Sequence, residues 1–417
     1  MKVLDKILKS NLIKDNIVLF VGNFLAGSFG YFFHFFMGRF LGPIDYGVLG
    51  VLLSIIYMIN VFVYAIQLSI TKFVSEIKGN VNNVSFLLKR SMVRLFSYAF
   101  LTFLVIFLLA PILSEFLKIQ KLPLIISLTA ILPMFVLSVT RGILQGLQSF
   151  KHLSFNFTTE GLVKLILGII FAFVGLGVNG AIGAIVFSLV FAFLLSLISL
   201  RKYIFERGEK INTKEVYRYS FPVIISLFLL TSFYTLDLVL VKHYFDDLNA
   251  GYYAAISLLG KIIFFGTVSI PLVMFPKVSE NHLKKKSYYH LLYKSLGFVL
   301  LFGVPVTLFY FIFPKFTVSL LFGQEYLPIA SLIGLFGIFM ILFSLIYSIS
   351  FFNLSIRKLK FISLLLLFNL IEFALIVLNH DSLFQVVLML VILMSILFLI
   401  LFFEVLKDGF KHNSASI

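Results

Sequence analysis

Apolar residues are gathered in long blocks, and polar residues are confined to the short gaps between them. Twelve blocks are long enough to span a bilayer, at roughly 16–38, 46–71, 92–113, 122–141, 155–178, 180–200, 219–241, 249–274, 291–313, 328–350, 361–379 and 384–406. A helix of about 20 apolar residues crosses about 30 Å of hydrocarbon. The pattern therefore predicts an all-α polytopic membrane protein with twelve transmembrane helices. Between the fifth and sixth blocks only Gly177-Val178-Asn179-Gly180 offers a turn. The gaps leave no room for a folded soluble domain. No glycine-rich loop ending in Gly-Lys-Ser/Thr is present, which argues against an ATP-driven pump in one chain.

Polar positions inside the blocks are few and patterned. In the second block Tyr57, Asn60, Tyr64, Gln67 and Thr71 recur at steps of three and four, one face of a helix. Such a stripe should not face lipid; it lines a cavity or bonds neighbouring helices. In the first block Asn23, Gly27, Gly30 and His34 share a face, where the glycines suit close helix packing. Glu160 and Lys164 in the fifth block are spaced for an ion pair on one helix. Lys261 lies mid-block among Ser257, Leu258, Phe264 and Phe265, so its partner must come from elsewhere. Asp237, near the end of the seventh block, is either a water-exposed helix-end residue or a titrating partner for His34. Glu372, one turn after Asn369, either carries a proton or pairs with Lys261 or Lys164.

The chain also repeats itself. An offset of 204 places Phe40 on Tyr244, Gly47 on Gly251 and Val74-Ser75-Glu76 on Val278-Ser279-Glu280, and Leu122-Pro123 falls on Leu327-Pro328 at offset 205. Two six-helix halves share one membrane orientation. They predict pseudo-symmetric bundles at 1–200 and 219–417, joined by a linker at 201–218, with a site between them. The repeat mate of Lys261 is Tyr57, which points Lys261 at the same cavity as the stripe.

Composition agrees with the block pattern and adds one question. Of 417 residues, 61% are hydrophobic and 12% charged, against roughly half and a quarter in soluble domains. Mean hydropathy is +1.09. There is no cysteine for a disulfide, zinc or thiol chemistry, and no tryptophan, so interfacial anchoring falls to tyrosine. The segment Ile17–Met37 is longer than a signal-peptide core and reads as the first transmembrane helix. The net charge of +16 would suggest nucleic acid in a soluble protein. Here 27 of the 34 basic residues, Arg141 among them, fall in a belt on one side of the predicted map and five on the other. That bias predicts both termini in the cytoplasm of a multi-pass plasma-membrane protein and excludes a nucleic-acid partner.

Two stretches carry a family resemblance. Gly38-Arg39-Phe40-Leu41-Gly42-Pro43-Ile44-Asp45-Tyr46-Gly47 resembles the outer turn of Wzx-type polysaccharide flippases of the multidrug/oligosaccharidyl-lipid/polysaccharide (MOP) exporter superfamily. In it Gly42-Pro43 makes a tight turn and Tyr46 anchors the next helix at the interface. Arg141-Gly142-Ile143-Leu144-Gln145-Gly146, continuing through Phe150, Glu160 and Lys164 to Gly175-Leu176-Gly177-Val178-Asn179-Gly180-Ala181, is similar to the segment around the fourth to sixth helices of that family. Residues 378–390 depart from it, having no glycine where the family places several.

The resemblance implies a MATE-like fold and flipping of a polyprenyl-pyrophosphate-linked oligosaccharide. It also implies cationic cavity residues for the pyrophosphate, ion-gradient coupling in at least some members, and no organic cofactor or metal. On it, Lys261, Lys164 and Arg39 are the candidate pyrophosphate contacts, with His34, Tyr57, Asn60, Tyr64 and Gln67 for the sugar. Asp237, Glu160 and Glu372 are the ion-coupling candidates. The expected partners are the lipid-linked oligosaccharide, membrane lipids and glycosyltransferases of the same pathway, and the chain is expected to be a monomer. Three other functions compete. A drug/cation antiporter of the same fold needs cavity acids, which a central lysine opposes. A peptidoglycan-precursor flippase usually has two more helices. A membrane glycosyltransferase needs an acidic motif in a sizeable outer loop, and Asp246-Asp247 has only a short one.

Overall fold

The computed structural model describes residues 11–77, 80–206, 221–284 and 287–414. Most of the predicted linker, 207–218, lies outside them. So do Lys2, Lys6, Lys9, Lys78, Arg207, Lys210, Lys214, Arg218, Lys285 and Lys286 of the basic belt. The described elements are helical throughout: α1 Asn11–Glu76, α2 Val81–Phe116, α3 Lys121–Thr129, α4 Ile131–Gly146, α5 Phe150–Phe173, α6 Gly177–Ser199 and α7 Arg201–Phe205. The second half continues with α8 Phe221–Ser232, α9 Leu236–Tyr244, α10 Asp247–Thr267, α11 Ser269–Leu283, α12 Tyr289–Ile312 and α13 Pro314–Leu321. A 3₁₀ segment, Gln324–Leu332, then leads into α14 Ile333–Ser355, α15 Phe361–Leu378 and α16 Leu383–Ser414.

Among the described residues, 11 helical stretches are long and apolar enough to cross a membrane. The first, Val21–Glu76, has 56 residues. At about 1.5 Å per residue that is more than twice the hydrocarbon thickness. It is two crossings folded at Gly42, whose φ of 69° and ψ of 175° break the helix. Only glycine takes that conformation without strain, and Pro43 withholds the next amide. The eleven stretches thus hold the twelve predicted crossings. The turn between the fifth and sixth falls at Val174–Leu176, around Gly175 with φ of 81°, earlier than the predicted 177–180. Gly175 takes the left-handed conformation that ends α5, and Gly177 already opens α6.

The chain divides into two compact units, Met1–Ile224 and Ile225–Ile417. In the first, α1 packs on α4 and α5. The α1–α4 contact is close because α4 has glycine where it meets α1. A Cβ at Gly142 would stand 2.8 Å from the Gln67 carbonyl, and one at Gly146 equally near that of Thr71. Helices associate in lipid by such packing and by hydrogen bonds rather than by a hydrophobic driving force. The bonds are present: Thr71 Oγ1 donates to the Gly142 carbonyl at 3.2 Å, and Gln67 Nε2 to Gln145 Oε1 at 3.0 Å. The short α7 is held to α2, where Ser85 Oγ and Lys89 Nζ both donate to the Glu206 carbonyl at 2.8 Å.

In the second unit α14 is the central helix, packed against α10, α12 and α16. It is apolar all round, as a helix enclosed by others should be, and Phe336, Phe339, Phe343, Ile346 and Ile349 are fully buried. The seventh crossing, predicted as one helix, is broken. Phe233–Thr235 forms a turn between α8 and α9, and Thr235 Oγ1 donates to the Thr231 carbonyl at 2.8 Å. Asp237 therefore stands in the first turn of α9.

Candidate functional site

The first unit contains a cavity of about 270 Å³ lined from α1, α4, α5 and α6. Six of the predicted substrate-binding residues and one predicted ion-coupling residue line it: His34, Tyr57, Asn60, Tyr64, Gln67, Lys164 and Glu160. The polar stripe of the second crossing thus faces a cavity at Tyr57, Asn60, Tyr64 and Gln67, whereas Thr71, one turn further, serves helix contact. Gln67 does both, through its bond to Gln145.

Arg141 also lines the cavity, contrary to its predicted place in the basic belt. It lies within α4 and is buried. Its Nε donates to Asn156 Oδ1 at 2.8 Å, and its Nη2 forms an ion pair with Glu160. Its guanidinium stacks 4.1 Å above the Phe157 ring. Asn156 is held in turn by donating from Nδ2 to the Ala192 carbonyl at 2.6 Å. The partner of Glu160 is therefore Arg141, not the Lys164 that its spacing predicts. A planar guanidinium fixed by three neighbours is a better mate for a buried carboxylate than a flexible ammonium. The signal that marks Arg141 in the sequence is the RG motif itself, read together with Glu160 and Lys164 as three charges near an apolar run.

Lys164 stays within electrostatic reach of Glu160. Its Nζ is 5.5 Å from the Phe33 ring centre and 3.7 Å from where a Cβ on Gly30 would be. A Cβ at Gly30 would touch this ammonium at ordinary van der Waals distance without displacing it, and one at Gly27 would meet nothing within 4 Å. Neither glycine serves the helix packing expected of it. Tyr46 is buried, and His34 Nδ1 lies 3.1 Å from its hydroxyl. Arg39 is exposed beside the Gly42 break, its guanidinium 4.5 Å from the Phe35 ring centre. With His34 neutral, the cavity's charges are Arg141 and Lys164 against Glu160, a net +1.

The remaining predicted residues meet in the second unit. Asp237 is fully buried, which removes its reading as a water-exposed helix end. It accepts from the Tyr253 hydroxyl at 2.8 Å and from the Leu238 amide at 2.7 Å. Lys261, 5% exposed, is in electrostatic contact with Asp237, and its Nζ is 5.3 Å from the Tyr234 ring centre. Glu372 is fully buried on α15, and neither carboxylate oxygen has a hydrogen-bond partner among the described residues. It too lies in the field of Asp237. Asn369 donates to the carbonyls of Leu229 at 3.1 Å and Leu365 at 2.8 Å, tying α15 to α8 beside the helix break. The cluster thus holds two carboxyls and one lysine.

Residues 36–331 match the family of polysaccharide biosynthesis proteins. A membrane protein of uncharacterised function from Methanocaldococcus jannaschii is 24% identical over 293 residues, covering 65% of this chain and 68% of that one. Among solved structures, the inward-facing multidrug resistance MATE transporter of the MOP superfamily superposes with a TM-score of 0.75 at 14% identity, covering 92% of this chain and 95% of that one. The lipid II flippase MurJ in its inward closed conformation gives 0.71 at 16% identity, with coverage of 95% and 90%. These likenesses establish the MOP-transporter fold.

Proposed function

We infer the function from one premise: the chain belongs to the polysaccharide biosynthesis protein family, carried on a MOP-transporter fold. The proposal is that it flips a polyprenyl-pyrophosphate-linked oligosaccharide across the plasma membrane by alternating access. The observation that carries this reading is the net positive charge of the cavity in the first unit. A cation in a membrane interior is costly and marks a ligand path. A diphosphate suits Arg141 and Lys164, the first through a planar fork and the second as a mobile point charge. Tyr57, Asn60, Tyr64 and Gln67 offer the aromatic faces and amides that suit sugar rings. At about 270 Å³ the cavity takes the diphosphate and the adjoining sugar, not a whole oligosaccharide. The lipid tail stays in the bilayer. A cationic drug would meet the wrong sign of charge.

The cluster in the second unit supplies the coupling. Lys261 answers Asp237, which leaves buried Glu372, in the field of Asp237, in need of one more positive charge to be neutral, and a proton or a monovalent cation meets that need. Asp237 and Glu372 are therefore the ion-coupling residues, and Lys261 holds Asp237 in place rather than binding pyrophosphate. The basic belt faces the cytoplasm, and the charge bias sets that orientation.

The test is transport by the full chain in sealed vesicles loaded with a fluorescent polyprenyl-diphosphate glycan. Wild type should move the probe to the far leaflet, and Lys164→Ala should reduce the initial rate at least tenfold. Undiminished flipping by Lys164→Ala would remove the cavity from the mechanism. Expulsion of a cationic dye, with no glycan movement, would assign the antiporter function instead.

A further inference from the structure

Each unit bears, away from the cavity, a basic groove open to its apolar surface. In the first unit the groove is about 540 Å³ and is lined by Phe86, Lys89, Arg90, Val93 and Arg94 of α2. In the second it is about 450 Å³ and lies between α11 and α12, where Lys277, Lys294 and Ser295 adjoin Val273, Met274 and Phe298. Among the described residues, no Asp or Glu lines either groove.

The two grooves occupy the same place in the internal repeat. The offset of 204 that aligns the Val-Ser-Glu triplets also aligns Leu87-Leu88-Lys89-Arg90-Ser91 with Leu291-Leu292-Tyr293-Lys294-Ser295. Exposure repeats with sequence: Leu88, Ser91, Leu292 and Ser295 are buried, while Lys89, Arg90, Tyr293 and Lys294 are exposed. Both halves therefore present a cation, Arg90 or Lys294, at one helical position.

The surroundings say what such a cation meets. After Arg94, residues 95–114 contain no charge, and after Lys294 neither do residues 295–314. Each stretch spans about 30 Å as a helix, so Arg94 and Lys294 stand at the boundary between hydrocarbon and headgroups. Beside them Val93, Val273 and Phe298 are 70%, 58% and 58% exposed, an apolar surface that belongs in contact with acyl chains. Lys89 is anchored on the Glu206 carbonyl, which orients its charge without neutralising it.

We propose that each groove is a binding site for one anionic phospholipid. The lipid phosphate lies on Lys89, Arg90 and Arg94 in the first unit and on Lys277 and Lys294 in the second. The acyl chains lie along Val93 and Phe86, and along Val273 and Phe298. A free anion has no use for that apolar lining, and a zwitterionic lipid has a cationic headgroup that the basic residues repel.

The test is native mass spectrometry of the purified full chain with phosphatidylglycerol, phosphatidylcholine or inorganic phosphate. Wild type should retain two phosphatidylglycerol molecules under activation that strips phosphatidylcholine. Arg90→Gln with Arg94→Gln should leave one, as should Lys277→Gln with Lys294→Gln, and the quadruple variant none. The control pair Lys118→Gln with Lys121→Gln should still retain two, and Arg90→Lys with Arg94→Lys should restore the first site. Equal retention of phosphatidylcholine by wild type would overturn the proposal whether or not the variants fold. So would displacement of the lipid by millimolar phosphate, or unchanged retention in the quadruple variant.

Discussion

Arg141 and Glu160 form a part-buried ion pair across two helices, 19 residues apart in the chain, while Lys164 stands one turn from Glu160 without taking it. One carboxylate is thus committed to the fixed guanidinium, and the ammonium is left as the cavity's surplus charge. Removing one member of such a pair leaves the other uncompensated. Arg141→Met should cost about 1.5–3 kcal/mol, and adding Glu160→Leu should recover most of that. Thermal unfolding followed by circular dichroism in detergent measures both. Strictly additive losses in the double variant would mean the two side chains are not coupled.

Gly30 and Gly27 should answer alike if they only pack helices, and differently if Gly30 leaves the Lys164 ammonium open to a ligand. A methyl group at Gly30 would stand 3.7 Å from the Lys164 ammonium, and one at Gly27 would meet nothing. Alanine favours a helix interior by up to about 1 kcal/mol over glycine. Gly27→Ala should therefore be neutral or slightly stabilising, with full transport. Gly30→Ala should melt no lower than wild type but transport several-fold more slowly. Equal transport rates for the two variants would show that the ammonium position does not matter.

Glu372 is the test of the coupling cluster. Glu372→Gln keeps the shape and removes the charge that needs a counter-ion, so the variant should fold with unchanged or higher melting temperature. Its flipping should lose dependence on the imposed proton or sodium gradient. Lys261→Met does the opposite: it leaves Asp237 and Glu372 together and should destabilise by about 3–5 kcal/mol. Retention of full gradient dependence in Glu372→Gln would place coupling elsewhere.

Asp246 lies at the start of α10, and its carboxylate accepts from the Asn249 amide at 2.8 Å. That bond holds its pKa below the ordinary 3.8. A depressed pKa means the cap stabilises the fold above the unfolded value and that this contribution disappears as pH falls through the folded one. Asp246→Asn should match wild type at neutral pH, since asparagine caps equally well, and should lack the wild-type loss below about pH 4. Asp246→Ala should cost about 1 kcal/mol at neutral pH. Melting curves between pH 3 and 7 distinguish the three; identical acid sensitivity in wild type and Asp246→Asn would show that the cap does not titrate.

Much of the site was legible because polar residues in apolar runs are rare enough to be counted. The stripe Tyr57, Asn60, Tyr64 and Gln67 follows from helical spacing alone, and the structure puts all four on one cavity. Lys261, Asp237 and Glu372 were equally conspicuous one by one, yet nothing in their order shows that they share one buried cluster. Arg141 was misplaced because it stands at the end of its apolar block, where a charge usually marks the interface. The break at Phe233–Thr235 was hidden because no glycine or proline marks it.

By itself, the amino-acid order determined the apolar crossings. Those follow from the cost of moving polar groups into hydrocarbon, which depends on local windows of residues. Tertiary structure decided which charge answers which: Glu160 to Arg141, Asp237 to Tyr253 and Lys261. Such pairings depend on the approach of distant helices through a low-dielectric interior, where a few ångströms decide whether a buried charge is matched.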